Sequence, residues 1–243
     1  MNYQATKEKM QQLRLFGMME TFENLQSNQI SELTPDQLIA LLVDSEWESR
    51  THRKTQRLIK SAGFRYYAGI EELDYSSERN LDKNMLMRLA DCHFIEKGAN
   101  VIITGSTGVG KSFVATALGY QACMKGYKVM YENTGKLFTR LRMAKADETY
   151  LKVLAKIEKQ DLLILDDFGL QAIDHKKQLA LLDILEDRQM NKSTIITTQL
   201  PINVWFELFE EKTIADAIMD RITHNAYRIE LKGESMRKMK RQK

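Results

Sequence analysis

Cysteine is scarce in this chain. Only Cys92 and Cys123 occur among 243 residues, they form no CxxC pair, and both lie in apolar helical contexts. That excludes a disulfide framework and a thiolate metal site, and two free thiols acting as small core residues suit a reducing cytoplasm. Long hydrophobic runs are missing as well. Runs such as residues 101–103 and 162–165 have the length of strands, and residues 1–10 are polar, so neither a membrane span nor a secretion signal is expected. No charge of one sign dominates: 36 Lys and Arg against 33 Asp and Glu leave +3, too little by itself to name a nucleic-acid partner. His52, His93, His175 and His224 are scattered without metal-ligand spacing, which leaves no zinc site to propose.

What is present is globular in balance, with 43% hydrophobic and 28% charged residues and no internal repeat or low-complexity linker. The length allows one domain with a helical appendage. Residues 1–95 carry helical periodicity almost throughout (Met10, Leu13, Met18, Phe22, Leu25, then Leu38, Leu41, Leu42). Thr34-Pro35-Asp36 reads as an N-cap with proline at the first helical position, opening a helix that runs to about Gly63.

From Asn100 the pattern becomes short apolar runs alternating with amphipathic segments, which predicts an α/β fold with a parallel sheet flanked by helices. Five strands are expected at 101–104, 128–131, 162–165, 194–198 and 227–230. Helices are expected between them at about 111–125, 134–145, 148–159, 176–191 and 203–222. The expected organisation is a helical domain over 1–75, a connecting helix over 76–95, a nucleotide-binding domain over 96–232 and a basic tail over 233–243.

Gly105-Ser106-Thr107-Gly108-Val109-Gly110-Lys111-Ser112 matches G-x-x-x-x-G-K-[ST] and sits between an apolar strand and an amphipathic helix that begins with Phe113 close behind. Glycines let backbone N–H groups close around phosphates, and the helix aims its positive dipole end at them. Residues 105–113 are thus expected to bind ATP, with Lys111 reaching the β and γ phosphates and the Ser112 hydroxyl ligating Mg2+. Residues 161–167 form an apolar strand ending in Asp166 and Asp167. Two acids at a strand tip are costly to hold together unless a cation or proton lies between them. Asp166 is expected to hold the metal and Asp167 to orient or deprotonate the attacking water.

The strand at 193–199 ends in polar residues, so Thr198 or Gln199 either hydrogen-bonds that water or simply terminates a strand. Arg221 closes an amphipathic helix and reads equally as a helix-end charge and as a finger reaching a neighbour's ATP. Between 49 and 70 there are six basic residues and no acid: Arg50, Arg53, Lys54, Arg57, Lys60 and Arg65. Spacings of three and four put the first four on one helix face, a footprint for DNA phosphates or a solvated face. Lys145 is a weaker DNA candidate, and residues 232–243 carry six basic side chains and one acid.

Together these segments, with Leu162 to Gly169 and its Asp166-Asp167-Phe168-Gly169 ending, Thr197 to Pro201, Asp220-Arg221 to Tyr227, Gly233-Glu234-Ser235-Met236-Arg237 and the N-terminal Leu13-Arg14-Leu15-Phe16-Gly17-Met18, resemble the IstB transposition helper proteins of bacterial insertion sequences. The resemblance covers nearly the whole chain. It implies an AAA+ ATPase related to the DnaC helicase loaders, forming homo-oligomers on double-stranded DNA with ATP, remodelling the target and recruiting a cognate transposase. By that similarity Arg221 matches an arginine finger supplied to the adjacent subunit, Arg237 a sensor-2-like arginine, and Thr198 and Gln199 the sensor-1 region. Many AAA+ proteins carry Glu where this chain has Asp167, whose shorter side chain predicts slow turnover. A replicative helicase loader is the nearest rival reading, and a small-molecule or nucleotide kinase the rival from another class.

Overall fold

The computed structural model describes residues 3–25 and 33–236, the side chain of Ser77 excepted. Arg237 and the rest of the basic tail beyond Met236 lie outside the described residues. The chain divides into two compact units, 1–57 and 58–243.

In the first unit, helices α1 (Tyr3–Gln12) and α2 (Phe16–Asn24) precede the N-terminal part of the long helix α3 (Pro35–Ala62), which crosses the division. The carboxylate of Glu46 on α3 accepts the N–H groups of Gly17 at 2.8 Å and Met18 at 3.3 Å, satisfying donors that the first turn of α2 leaves without partners. Arg50 donates to the same carboxylate at 2.5 Å, and the Arg53 guanidinium lies over the Phe16 ring. A side chain at Gly17 would run into α3, its Cβ 2.8 Å from the Glu46 Cα, so glycine is what lets the two helices meet.

The second unit holds the sheet. Its strands are β1 (Asn100–Gly105), β2 (Val129–Asn133), β3 (Leu162–Phe168), β4 (Ser193–Thr198) and β5 (Ala226–Leu231). They are parallel, in the order β2-β3-β4-β1-β5. Strands buried on both faces read as nearly continuous apolar runs, and successive residues serve opposite cores. Val101, Ile103, Ile164 and Ile195 join one cluster, with α4 (Lys83–Ala90), α5 (His93–Glu96), α6 (Lys111–Met124) and the end of α3. Ile102, Leu163, Leu165 and Ile196 join the other, against α7 (Thr134–Ala146), α8 (Tyr150–Glu158), α9 (His175–Arg188) and α10 (Lys212–Thr223). Cys92 and Cys123 are buried in the first cluster, and burial pushes their thiols up to about 11 and about 12.

Three sequence expectations differ from the structure. The segment 76–95 is not one connecting helix: Asp82 caps α4 by accepting from Asn84 and Met85, and Cys92, at φ +64°, separates α4 from α5. Leu86 and Leu89 are fully buried, each worth roughly 1.5–3 kcal/mol, so this stretch belongs to the sheet-bearing unit and the boundary falls at 57/58, ahead of the expected 75. The helix expected over 203–222 is interrupted. Residues Ile202–Leu208 form a 3-10 helix, and the buried Gln178 takes both backbone groups of Glu211, accepting from its N–H at 2.8 Å and donating to its carbonyl at 2.7 Å. Glu211 is the N-cap of α10, its carbonyl accepting the Ala215 N–H, and Gln178 satisfies the N–H that a helix start leaves without a partner.

Among the described residues no helix is long and apolar enough to cross a membrane.

Candidate nucleotide site

The C-terminal tips of β1, β3 and β4 and the start of α6 converge on one place, as carboxyl ends of parallel strands do where open α/β sheets bind ligands. The turn after β1 is made by Gly105, Gly108 and Gly110, all at positive φ, the last being the N-cap of α6. A Cβ on Gly105 would lie 2.5 Å from the Leu231 carbonyl oxygen, so the loop approaches β5 as only glycine allows. Lys111 is buried and its Nζ donates to the Ser106 carbonyl at 2.8 Å, while α6 points its N-terminal N–H groups into the same turn.

Asp166 is the electrostatic centre. It is 1% exposed, and its Oδ1 accepts the hydroxyls of Ser112 at 2.7 Å and Thr197 at 2.5 Å, while Oδ2 accepts the Tyr131 hydroxyl. A buried carboxylate is tolerated only with such donors. Burial, and then that bond, push Tyr131 far above the ordinary tyrosine range, so it stays a donor. Asp167 sits at φ +60°, uncommon for a residue with a side chain. Its N–H donates to Thr197 Oγ1 at 3.1 Å and its carboxylate accepts Asn133 Nδ2 at 3.0 Å. Burial, then the neighbouring Asp166, raise its pKa above the ordinary carboxylate range, against the opposing charges of Arg65 and Lys111.

Gln199 reaches the loop, its Oε1 accepting the Thr107 hydroxyl at 2.7 Å. Thr198 does not. Its hydroxyl donates to the Phe168 carbonyl at 2.8 Å and accepts the Leu200 N–H, closing the strand end. Thr197, one residue earlier, is the hydroxyl that strand alternation turns toward Asp166. Phe113 lies one turn into α6, its ring stacked with Tyr66.

Sequence reasoning missed Tyr131, Asn133 and Thr134 on and after β2; the polar end of that strand was a usable signal. It also missed Arg79, in an irregular segment that carries no signal. Arg79 is buried, donates to the Val109 carbonyl at 2.7 Å and pairs with Asp74 at 3.2 Å, while its own carbonyl accepts the Lys232 N–H. The Met236 N–H donates to the Gly108 carbonyl at 3.0 Å, so the Gly-Glu-Ser-Met segment closes over the phosphate loop.

Arg221 lies at the opposite end of the strands. Its Nη1 donates to Ala217 O at 3.0 Å, its Nη2 is 3.8 Å from Glu186, and it lines a cavity of about 430 Å3 with Lys97, Arg188, Lys192 and His224. The length of β1, roughly 17 Å at the usual rise per residue, separates this end from Gly105.

The basic residues proposed for DNA are dispersed in role. Arg50 and Arg53 hold Glu46 and Phe16, Lys54, Arg57 and Lys60 are exposed, Arg65 lies over the Tyr131 ring, and Lys145 over the Tyr150 ring.

Residues 8–243 match the family described as IstB-like ATP binding protein. A putative insertion sequence ATP-binding protein of Sinorhizobium fredii is 41% identical over 98% of both chains. The insertion sequence IS21 putative ATP-binding protein of Pseudomonas aeruginosa is 28% identical over 87% of this chain and 80% of that one. Among solved structures, DnaI superposes with a TM-score of 0.59 at 25% identity, covering 72% of this chain and 93% of that one. The DnaC helicase loader follows at 0.57 and 21%, covering 73% and 99%, and shares the fold. With the phosphate loop, the paired aspartates and the sheet order in place, the chain belongs to the family of IstB-like ATP binding proteins.

Proposed function

We propose that the protein is an ATPase that assembles on double-stranded DNA with ATP held between subunits, bends and selects the target, and recruits the transposase of its insertion sequence. One observation carries the reading. A complete phosphate loop with Asp166 hydrogen-bonded to Ser112 at 2.7 Å lies at one end of β1, and Arg221 lies at the other, too far to serve its own site.

The N–H groups of the loop and Lys111 bind the phosphates. Ser112 and Asp166 offer only oxygen donors, side by side, which fits a small hard dication. When bound, Mg2+ neutralises charge on the transferring phosphoryl oxygens. Asp167, oriented by Asn133 and poised above the usual carboxylate range, accepts the proton of the attacking water, and Gln199 helps position that water from beside Thr107. Arg221 of the adjacent subunit stabilises the developing charge, so ATP joins two chains and its hydrolysis loosens them. The helical region before the sheet supplies DNA and partner contacts through Lys54, Arg57 and Lys60, and the assembly multiplies modest backbone contacts into tight, salt-sensitive binding.

The test is ATP turnover and particle size with and without double-stranded DNA for the wild type, Lys111→Ala and Arg221→Ala. DNA and ATP together driving assembly, with turnover lost in both variants, supports the reading. A wild type that stays monomeric and ignores DNA overturns it.

A further inference from the structure

We propose that Asn100 is a positioning residue for Arg221 and sets the guanidinium that one subunit presents to the ATP of the next. The inference rests on the reading of Arg221 as a group supplied in trans.

Helix α10 ends at Thr223, and the last carbonyls of any helix have no partner within it. Asn100, the first residue of β1 and only 8% exposed, supplies partners. Its Nδ2 donates to the carbonyls of Arg221 at 3.0 Å and Ile222 at 3.1 Å. Its Oδ1 accepts the Thr194 N–H of β4 at 3.0 Å, and its own N–H donates to Asn225 O at 2.8 Å. One buried amide thus ties the end of the helix to two adjacent strands.

Arg221 follows the helix end because its Nη1 is held by the carbonyl of Ala217 one turn earlier. Moving the last turn of α10 therefore moves the guanidinium. The Arg221 side chain remains 21% exposed, so the held guanidinium is still reachable from outside. Lys97, Lys192 and His224 line the same cavity beside Asp220, and Glu186 lies 3.8 Å from the guanidinium, so the surroundings are charged with both signs. A misplacement of about 1 Å in such a group costs on the order of a hundredfold in rate. Because β1 runs from Asn100 to Gly105, the strand that anchors the donated arginine also carries the loop of the subunit's own site.

The full-length protein is assayed on double-stranded DNA as Asn100→Ala, and as Asn100→Asp, which keeps the volume and the Thr194 contact but replaces the amide donor with an acceptor. Turnover is expected to fall by about tenfold or more with ATP affinity within about twofold of wild type. The deciding measurement mixes each variant with Asp167→Asn subunits, which lack the water-activating carboxylate but retain Arg221. Equal mixing leaves about a quarter of interfaces with an intact site on one side and a well-placed Arg221 on the other, so turnover should recover toward that fraction. A cap of purely local importance gives no recovery. The control is Arg221→Ala mixed with Asp167→Asn. If the control recovers and neither Asn100 variant does, or if both Asn100 variants turn over like wild type alone, the assignment of Asn100 is overturned. If the control itself fails to recover, it is the trans reading of Arg221 that falls, and Asn100 falls with it. If Asn100→Ala does not fold, Asn100→Asp carries the same comparison.

Discussion

Thr197 and Asp166 share a hydrogen bond of 2.5 Å, and the same Thr197 hydroxyl accepts the N–H of Asp167. A single side chain on β4 thereby orients the Asp166 carboxylate and fixes the backbone of Asp167. Replacing Thr197 with Val, which keeps the shape and removes the hydroxyl, should lower turnover by about 10- to 100-fold, the usual cost of losing a group that orients a ligand. ATP affinity should change little, and Thr197→Ser should restore most of the rate. Steady-state turnover beside nucleotide binding checks it; an unchanged rate in Thr197→Val removes Thr197 from the site.

The charge of Glu46 makes the first unit acid-sensitive. Burial raises this carboxyl, but the Arg50 bond and the N–H groups of Met18 and Gly17 outweigh it and hold the pKa below the ordinary 4.5. A carboxylate held low contributes stability that is complete above its unfolded value and is lost as pH falls through its folded one. Unit 1 should therefore loosen below about pH 4.5, and Glu46→Gln should cost it about 2 kcal/mol at neutral pH while flattening that acid limb. Hydrogen exchange of α2 across pH reads both effects.

Arg188 is buried against main chain, donating to the carbonyls of Ile157, Gln160 and Ser193 and to Thr194 Oγ1, and burial pulls its pKa down to about 10. Arg188→Ala strips the starts of β3 and β4 of their donors, and a loss of about 3 kcal/mol or more follows. Chemical denaturation of the variant measures it, and a loss under 1 kcal/mol, on the order of one ordinary hydrogen bond, would contradict this account.

Thiol chemistry should be silent in the folded protein. With Cys92 and Cys123 buried and their pKa values raised to about 11 and about 12, thiolate is scarce at pH 8. A thiol reagent should label neither until denaturant is added, then both; fast labelling of native protein would refute this.

The basic stripe of α3 should split in two under mutation. Arg50→Ala with Arg53→Ala should chiefly destabilise the first unit, because those side chains hold Glu46 and Phe16. Replacing exposed Lys54, Arg57 and Lys60 should instead reduce the slope of log affinity for DNA against log salt by up to about 2.7, roughly 0.9 for each phosphate no longer neutralised. An unchanged slope would remove them from the DNA surface.

Gly105 to Ser112, Asp166 and the alternation of strands and helices were legible in the chain because each is local. A glycine turn needs its own residues in order, and strand periodicity is a property of consecutive positions. Strand tips were less so. Thr197 and Thr198 are both polar residues at one strand end, but only the pleat, and the irregular pairing between Leu165 and Phe168 against β4, decide which hydroxyl faces Asp166. The late start of α10 was hidden for a similar reason, since Gln178, thirty-three residues away in the chain, supplies the partner for the Glu211 N–H at the helix cap.

The amino-acid order by itself determined that a phosphate loop would be followed by a buried strand ending in two carboxylates, within an α/β sheet preceded by helices. Only the tertiary structure decided which charges are free to meet a partner and which are spent inside the fold. Arg50 and Arg53 look like Lys54 and Arg57 on a helical wheel, until the buried Glu46 draws the first two inward. Arg221 and Lys111 are both cations on helices, until β1 sets them at opposite ends of one strand. Hydrogen bonds and ion pairs act over a few ångströms of space, and separation along the chain does not say which residues share it.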